Sequence, residues 1–205
     1  MLASALRAHF REELFLTIVG NRLVIRAVSE LDVQWLSALV NDDDVATPYY
    51  AELDLPRSTD DVREEFLAKR ADYARFAVAT HEGEMLGICG VAWGPPQYRY
   101  HRACRISLML SRCRQGRGYG FETRVLLCDR LFAQLNVHRI VGGYLTSNAS
   151  SARQAYRTGA TICGTLREAW YFDGAFHDIT AWYLSPDRFY ENCGGDLRLM
   201  RAAQS

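Results

Sequence analysis

The sequence predicts a single α/β (α+β) domain in which helices flank one central, mostly antiparallel sheet. Apolar stretches of strand length occur in pairs across short turns of glycine and polar residues, a pattern typical of β-hairpins. One long helical segment separates two further strand-like stretches, as a crossover connection would. No repeat, low-complexity segment or linker interrupts the 205 residues, and 49% of them are apolar, so one core of ordinary size is expected.

The N-terminal part of the chain begins with a predicted hairpin, which is followed by two predicted helices. The strand-like segments LFLTIV (residues 14–19) and RLVIRA (residues 22–27) flank Gly20-Asn21, a two-residue turn suited to a hairpin. Ser29-Glu-Leu-Asp32 resembles a capping box that opens a short helix, and Ser58 starts a second one. Between the two helices, NDDDVATPYY forms an acidic and aromatic loop.

The middle of the chain contains a second predicted hairpin and a strand that leads into a long helix. Residues 75–80 and 85–93 pair across the turn at residues 81–84. The strand centred on CRISLML runs into RCRQGRGYG and then into the long helix. One side of this helix is charged. Its other side is apolar and is formed by Phe121, Val125, Cys128, Phe132 and Leu135.

The C-terminal part contains a buried-looking strand, a helix that ends at Gly159, and a last hairpin joined at Asp173-Gly174. We expect the domain proper to occupy residues 22–190. Residues 1–21, a helix and the first hairpin strand, are expected to extend the same domain at its N-terminus. Residues 191–205 are expected to form a C-terminal tail.

Composition argues against several classes of partner. Lysine and arginine (24) balance aspartate and glutamate (24), so no overall field attracts nucleic acid or an anionic membrane. The six cysteines lack the spacing of a metal site, and no apolar segment is long enough for a signal peptide or a membrane span. We therefore expect a cytoplasmic protein that holds no metal and binds neither nucleic acid nor membrane.

The glycine-rich turn QGRGYG at residues 115–120 is the candidate anion site. It lies between a predicted strand and a predicted helix, where glycines let successive N–H groups point at one anion beside the positive end of the helix dipole. Arg112, Arg114 and Arg117 add positive charge, which suits a pyrophosphate. The turn matches neither the dinucleotide-binding fingerprint nor the Walker motif. A glycine-rich loop with solvated arginines is the alternative interpretation.

The spacing [Arg/Gln]-x-x-Gly-x-[Gly/Ala] in this turn resembles the coenzyme A signature of the GNAT acetyltransferases. From Arg22 to Leu184 the order of elements resembles the RimJ/RimL-like branch of that superfamily, with LVIRAVSELD, NVHRI, SNASS and LREAWYFDGAFHD as landmarks. The resemblance implies a single GNAT domain whose twisted sheet contains a splayed pair of strands. It also implies an N-acyltransferase that moves an acyl group from acetyl-CoA, or another acyl-CoA, to a primary amine in a ternary complex.

The resemblance further assigns residues to the cofactor. The backbone of the splayed strand would hold the pantetheine arm through Leu108, Met109 and Leu110. The turn would hold the pyrophosphate through Gln115, Gly116, Arg117, Gly118, Tyr119 and Gly120. Asn148 and Ser151 occupy the Asn-x-x-Ser position near the thiol end, although both residue types also cap helices.

Two residues are candidate catalytic groups. The tyrosine that protonates the thiolate in many GNAT enzymes is replaced by Ala155. Its neighbour Tyr156 is rotated by about 100° along the helix and cannot simply inherit the role. RimL-like enzymes can use the serine of the Asn-x-x-Ser position instead, so the resemblance makes Ser151 the candidate proton donor. Some RimL-like enzymes also carry a glutamate on the strand after this helix, at the position that Trp170 occupies here. Glu168 lies two residues earlier and would share the same strand face, so it is the candidate base. An exposed strand carboxylate is the alternative interpretation of Glu168.

The acceptor stays open at this stage. Arg105 stands where the branch often has an acidic residue, which leaves substrate identity undecided. We expect an amine-bearing small molecule or a protein N-terminus. It would bind beside Glu168 and the carboxylates Asp42, Asp43, Asp44, Glu52 and Asp54, or in an apolar site built from Trp93, Tyr49, Tyr50 and Trp170. Residues 94–102 would also line the acceptor side. A catalytically altered coenzyme A-binding module is the alternative function. The chain could act as a monomer or as a homodimer.

Overall fold

The computed structural model describes residues 17–42, 45, 56–68, 70, 72–93 and 102–202. In this part of the chain eight strands form one sheet in the order β1-β2-β3-β4-β5-β6-β8-β7. They are β1 (Ile18–Val19), β2 (Val24–Ala27), β3 (Tyr73–Ala79), β4 (Met85–Ala92), β5 (Ala103–Leu110), β6 (Arg139–Leu145), β7 (Thr161–Phe172) and β8 (Ala175–Leu184). Only β5 and β6 run parallel, which confirms the predicted mostly antiparallel sheet.

Five helices flank the sheet in the same part of the chain. They are α1 (Val33–Val40), α2 (Thr59–Leu67), α3 (Tyr119–Asp129), α4 (Ala149–Arg157) and α5 (Pro186–Ala202). Residues 130–134 continue α3 as a π-helical turn. Helix α5 includes most of the segment expected to be a tail, and it buries Cys193 and Leu197 in the main core.

Two apolar cores lie on opposite faces of the sheet. Helices α3 and α5 pack with Leu110 in one core, whereas α1 and α2 pack with Met109 in the other. Leu110 and Met109 are neighbours on β5, and successive side chains of a strand point to opposite faces. We therefore distinguish an α3 face and an α1/α2 face. Helix α4 belongs to the α3 face, since the guanidinium of its Arg157 lies 3.6 Å from the ring centre of Phe121.

The predicted helix starts are confirmed in atomic detail. The carboxylate of Asp32 accepts hydrogen bonds from the Ser29 N–H (2.8 Å) and hydroxyl (2.9 Å), as a capping box requires. Ser58 caps α2 through the N–H of Asp61 at 3.1 Å. Burial opposes ionisation of Asp32, but hydrogen bonds from Arg26 and Ser29 outweigh it and lower its pKa.

One sequence prediction about these elements was wrong. Val19 pairs with Val24, so four residues and not two connect β1 to β2, and the Gly20 N–H closes the turn on the Leu23 carbonyl at 2.8 Å. The charged side of the long helix is present as predicted, and Glu122, Asp129 and Arg130 on it are buried. Its carboxylates find partners in distant elements. Tyr190 of α5 donates to Asp129 at 3.2 Å, for example.

Candidate functional site

A wedge opens in the sheet between β5 and β6. The two strands pair only through residues 103–105 and 139–141, and beyond these residues they diverge. The last five residues of β5 therefore lack a partner strand on the β6 side. This is the splayed pair that the sequence resemblance predicts.

The backbone of Leu108 is directed into the wedge. The Ser111 N–H bonds to the Leu86 carbonyl on the β4 side at 3.0 Å, and the Arg102 carbonyl accepts from His138 on the β6 side at 2.8 Å. Backbone groups of alternate residues point to opposite sides of a strand. Even-numbered residues of β5 therefore face the wedge. Met109 faces β4 instead, so of the predicted strand contacts it is the one turned away from the gap.

The side chain of Gln115 closes the far end of the wedge. Near this end, the backbone carbonyls of Leu108 and Leu110 point into the gap. Gln115 Nε2 donates a hydrogen bond to the Leu110 carbonyl at 3.0 Å and so satisfies one of the two. Among the three predicted strand contacts, Leu108 therefore has the backbone carbonyl that could bond an extended arm laid along β5. The sequence placed Gln115 with the phosphate group, whereas the structure also gives it this role at the strand end.

The glycine-rich turn presents unpartnered N–H groups at the start of α3. Gly116 and Gly118 have positive φ angles of 72° and 85°, which curl the backbone in the way the sequence predicts. Across the described residues, the N–H groups of residues 116–120 donate to no carbonyl or side chain. A Cβ on Gly116 would meet nothing within 4 Å, so the turn is open on that side. Five N–H groups at a helix N-terminus make a cradle for an anion.

Arg22 ties this turn to the rest of the domain, a role that the sequence analysis missed. Its Nη1 donates to the Arg117 carbonyl at 2.9 Å, and its Nε donates to Glu122 Oε2 at 2.8 Å. The backbone N–H of Arg22 bonds the other Glu122 oxygen at 2.9 Å. Glu122 is buried. A glutamate one turn into the helix that follows the glycine-rich turn is the sequence signal that could have indicated a hidden basic partner.

The three arginines predicted to add charge at the turn differ in their environment. Arg114 forms an ion pair with Glu84, in the turn between β3 and β4. Arg112 and Arg117 are exposed. Arg22 adds a further guanidinium, whose Nη2 lies 3.1 Å from the position that a Cβ on Gly118 would occupy. The positive charge beside the glycine-rich turn therefore comes partly from Arg22, which lies between β1 and β2, and not only from the arginines of the turn.

Three parts of the predicted site meet around Gly120. A Cβ placed on this glycine would lie 3.2 Å from Gln154 Nε2 of α4, 3.4 Å from the Leu110 side chain and 3.5 Å from the Leu108 side chain. Contacts of 3.2 Å are tighter than a side chain tolerates without movement of its neighbours. Glycine here allows the phosphate turn, the splayed strand and α4 to approach one another.

Asn148 and Ser151 form the N-terminal cap of α4. Asn148 Oδ1 accepts the Ser151 N–H at 2.9 Å, so the capping interpretation is realised. The Ser151 hydroxyl makes no hydrogen bond to any residue that the structure describes, and the side chain is half-buried. Ala155 is fully buried on the same helix, whereas Tyr156 is 84% exposed, as the rotation along the helix requires.

A bulge separates Glu168 from the position it was compared with. The register of β7 against β8 shifts between Leu166 and Trp170, and three residues of β7 lie opposite Asp178 alone. Glu168 has φ +49° and donates its N–H to Asp178 Oδ1 at 2.9 Å. Regular alternation does not extend through a bulge. The argument that Glu168 shares a face with Trp170 therefore fails, and Glu168 is an exposed carboxylate whose role stays a prediction.

Most of the residues expected around the acceptor lie outside the described part of the chain. These are Asp43, Asp44, Tyr49, Tyr50, Glu52 and Asp54, with residues 94–101. Trp93 packs against the α3-face core, as does Trp182. Trp170 pairs with His177 of β8, so the two side chains lie on the same face of the sheet. His177 and Trp182 are an odd number of residues apart on β8, so they point to opposite faces. Trp170 therefore lies on the face opposite Trp182. The structure therefore does not bring Trp93 and Trp170 into one apolar site.

The buried cysteines are poor nucleophiles in this structure. All six are unpaired, and four of them are buried: Cys89, Cys104, Cys128 and Cys193. Burial raises the pKa of the Cys128 thiol to about 12 and that of Cys193 to about 11.

No cluster of three or more potential metal ligands occurs among the described residues. None of the described helices has the length and apolar character needed to cross a membrane.

Comparisons with known proteins agree with this geometry. The family model described as the acetyltransferase (GNAT) domain matches residues 22–161. A spermidine N-acetyltransferase from Vibrio cholerae, solved with CoA and spermine, superposes with a TM-score of 0.72 at 19% identity, covering 82% of this chain and 97% of that one. The RimL ribosomal L7/L12 alpha-N-protein acetyltransferase, solved with coenzyme A, superposes with a TM-score of 0.71 at 23% identity, covering 84% and 99%. No curated protein sequence matches this chain significantly.

Proposed function

This chain belongs to the GNAT acetyltransferase family, and from that premise we propose that it transfers an acetyl group directly to the primary amine of an acceptor in a ternary complex. Family membership makes the chain an N-acetyltransferase whose donor is acetyl-CoA. The order of elements, the splayed strands and the glycine-rich turn all match that assignment. The acceptor and the residues that move protons are the proposed part.

The single observation that carries the proposal is the juxtaposition of the anion cradle with the open strand edge. The unpartnered N–H groups of residues 116–120 fit a pyrophosphate. The Leu108 backbone faces the wedge beside them and fits an amide-bearing arm. Arg117 and Arg22 supply positive charge at the turn. Acetyl-CoA, when bound there, supplies the acetyl group as a reactive thioester.

Ser151 is the proposed donor of the proton that the leaving thiolate requires. Its hydroxyl is half-buried and lacks a partner among the residues described, while its backbone is fixed by Asn148 at 2.9 Å. Gln154, on the same helix, lies at the meeting point with the phosphate turn. A hydroxyl held in place near the thiol end can give its proton as the bond breaks.

Glu168 is the proposed base that takes the proton from the attacking amine, directly or through water. An amine is mostly protonated at neutral pH and attacks only as the neutral form. The bulge presents this carboxylate on the exposed surface of β7, and Asp178 fixes the bulge through the Glu168 N–H. The proposed acceptors are amine-bearing small molecules and protein N-termini, the two classes named for the structural neighbours. The free state of all six cysteines supports the cytoplasm as the compartment.

Acetyl-CoA turnover against polyamines, amino acids, aminoglycosides and short peptides tests the proposal. We expect at least one amine to be acetylated and Gly118→Asp to abolish acetyl-CoA binding measured by calorimetry, because it places a carboxylate where phosphate must approach. Gly174→Asp, in the turn between β7 and β8, is the matched control, because Gly174 also has a positive φ and a Cβ there would meet nothing within 4 Å. Binding of acetyl-CoA without turnover of any amine would favour the altered binding module instead.

A further inference from the structure

A pair of hydroxyl groups lies beside the wedge and belongs to none of the groups discussed above. Tyr73 Oη on β3 and Ser107 Oγ on β5 are 2.8 Å apart, and both side chains are partly exposed. The tyrosine reaches β5 by crossing β4 at Gly90. A Cβ on Gly90 would lie only 2.4 Å from the phenol oxygen and 2.9 Å from Ser107 Oγ. Glycine at this position is therefore what lets the two hydroxyls meet.

The pair lies where β5 loses its partner strand. Arg105 is the last residue of β5 that pairs with β6, and Ser107 comes two residues later. Ser107 has the same parity as Met109, so its side chain points to the α1/α2 face. The next residue is Leu108, whose backbone faces the wedge. The two hydroxyls thus lie at the apex of the wedge, on the α1/α2 face of the sheet, opposite α3.

This placement separates a donor side from an acceptor side. Helices α3 and α4 occupy the α3 face around Gly120, where the donor's phosphates and arm would enter. An acceptor amine must therefore reach the thioester from the α1/α2 face. On that face, the hydroxyls of Tyr73 and Ser107 are partly exposed beside the apex, within the part of the chain that the structure describes.

We propose that the Tyr73–Ser107 hydroxyl pair binds the amino group of the acceptor and orients it for attack, an inference that rests on the proposed acetyl transfer. A hydroxyl oxygen has two lone pairs and can accept an N–H from the neutral amine. The amine then keeps its own lone pair free for the acetyl carbon. The hydrogen bond between the two side chains fixes the direction of both oxygens before the acceptor arrives, which lowers the entropy cost of alignment.

The test uses Tyr73→Phe and Ser107→Ala in the full chain, with Ser107→Thr as the variant that keeps a hydroxyl and Tyr156→Phe as the matched control on the exposed side of α4. Acceptor kcat/KM, acetyl-CoA affinity and thermal unfolding are measured for each. We expect Tyr73→Phe and Ser107→Ala to lower acceptor kcat/KM by about tenfold, mainly through KM, as loss of one hydrogen bond would. Acetyl-CoA affinity should stay within about twofold in both, and Ser107→Thr should recover much of the loss.

The outcomes separate this inference from the proposed function. A double variant whose loss is smaller than the product of the single losses would show that the hydroxyls act as a unit. Unchanged acceptor kcat/KM in folded Tyr73→Phe and Ser107→Ala would overturn the inference alone, and a lower unfolding temperature with unchanged KM would show a purely structural bond. If the wild-type chain acetylates no amine, the proposed function falls, and this inference falls with it.

Discussion

Replacing Glu122 by glutamine is expected to weaken both the fold and the binding of acetyl-CoA. The Glu122 side chain is 2% exposed, and its two oxygens accept the Arg22 N–H at 2.9 Å and the Arg22 Nε–H at 2.8 Å. Glutamine has nearly the same shape, but its NH₂ group cannot accept a hydrogen bond. One donor of Arg22 therefore loses its partner, and the charge attraction is lost as well.

The size of the stability loss follows from the burial of the two partners. A hydrogen bond to a charged group contributes about 1.5–3 kcal/mol to the free energy of unfolding. The Arg22 side chain is 45% exposed, so water recovers part of its charge and the lower end of that range applies. We expect a loss of about 1.5–2 kcal/mol, which in a chain of this length lowers the unfolding temperature by about 3–8 °C.

The effect on the cofactor arises at the phosphate turn. Arg22 Nη1 holds the Arg117 carbonyl at 2.9 Å, between the two glycines with positive φ. Loss of its Glu122 anchor lets the guanidinium move, so the turn must be ordered when the pyrophosphate binds. We expect acetyl-CoA affinity, measured by calorimetry, to fall by about tenfold, or about 1.4 kcal/mol.

Glu191→Gln on α5 is the matched control. Its ion pair with Arg188 is exposed at both ends, so neither stability nor affinity should change measurably. A lower unfolding temperature with unchanged acetyl-CoA affinity would refute the reasoning that Arg22 holds the turn. An unchanged unfolding temperature would refute the assigned contribution of the buried carboxylate to stability.

Three further results are expected. Ser151→Ala should lower kcat by about a hundredfold or more if its hydroxyl is the proton donor, with acetyl-CoA affinity retained, and Tyr156→Phe should match the wild type; the reverse order would contradict the helix register. Glu168→Gln should reduce turnover most at low pH, where few acceptors are neutral, and a loss independent of pH would argue against its role as base. Burial raises the pKa of Cys128 to about 12, whereas a thiol in the unfolded chain ionises near 8.5. Unfolding therefore becomes easier as pH rises above about 8.5, and denaturant titrations at pH 7.5 and 10 should show a steeper loss for the wild type than for Cys128→Ala.

Local signals in the sequence predicted the elements that depend on a few neighbouring residues. The hairpin at Asp173-Gly174 has the expected two-residue turn, with Phe172 opposite Ala175 and positive φ at both turn residues. The phosphate turn was predictable for the same reason, because Gly118 adopts φ +85° immediately before α3. The strand register was predicted wrongly where local sequence signals are weak. The bulge at Glu168 carries no glycine or proline, and its cause is a carboxylate ten residues away.

The sequence by itself therefore determined the fold class, the helix starts and the conformation of the glycine-rich turn, because capping, turn conformation and periodicity act within about one turn of helix or one hairpin. Tertiary structure alone decided which charged groups of α3 are buried and which hydroxyls meet at the wedge. Arg22 and Glu122 are 100 residues apart, and Tyr73 and Ser107 are 34 apart. Such contacts form only when distant elements have packed. Packing excludes water from the polar groups between the elements, so each group must find its hydrogen-bond partner in the protein.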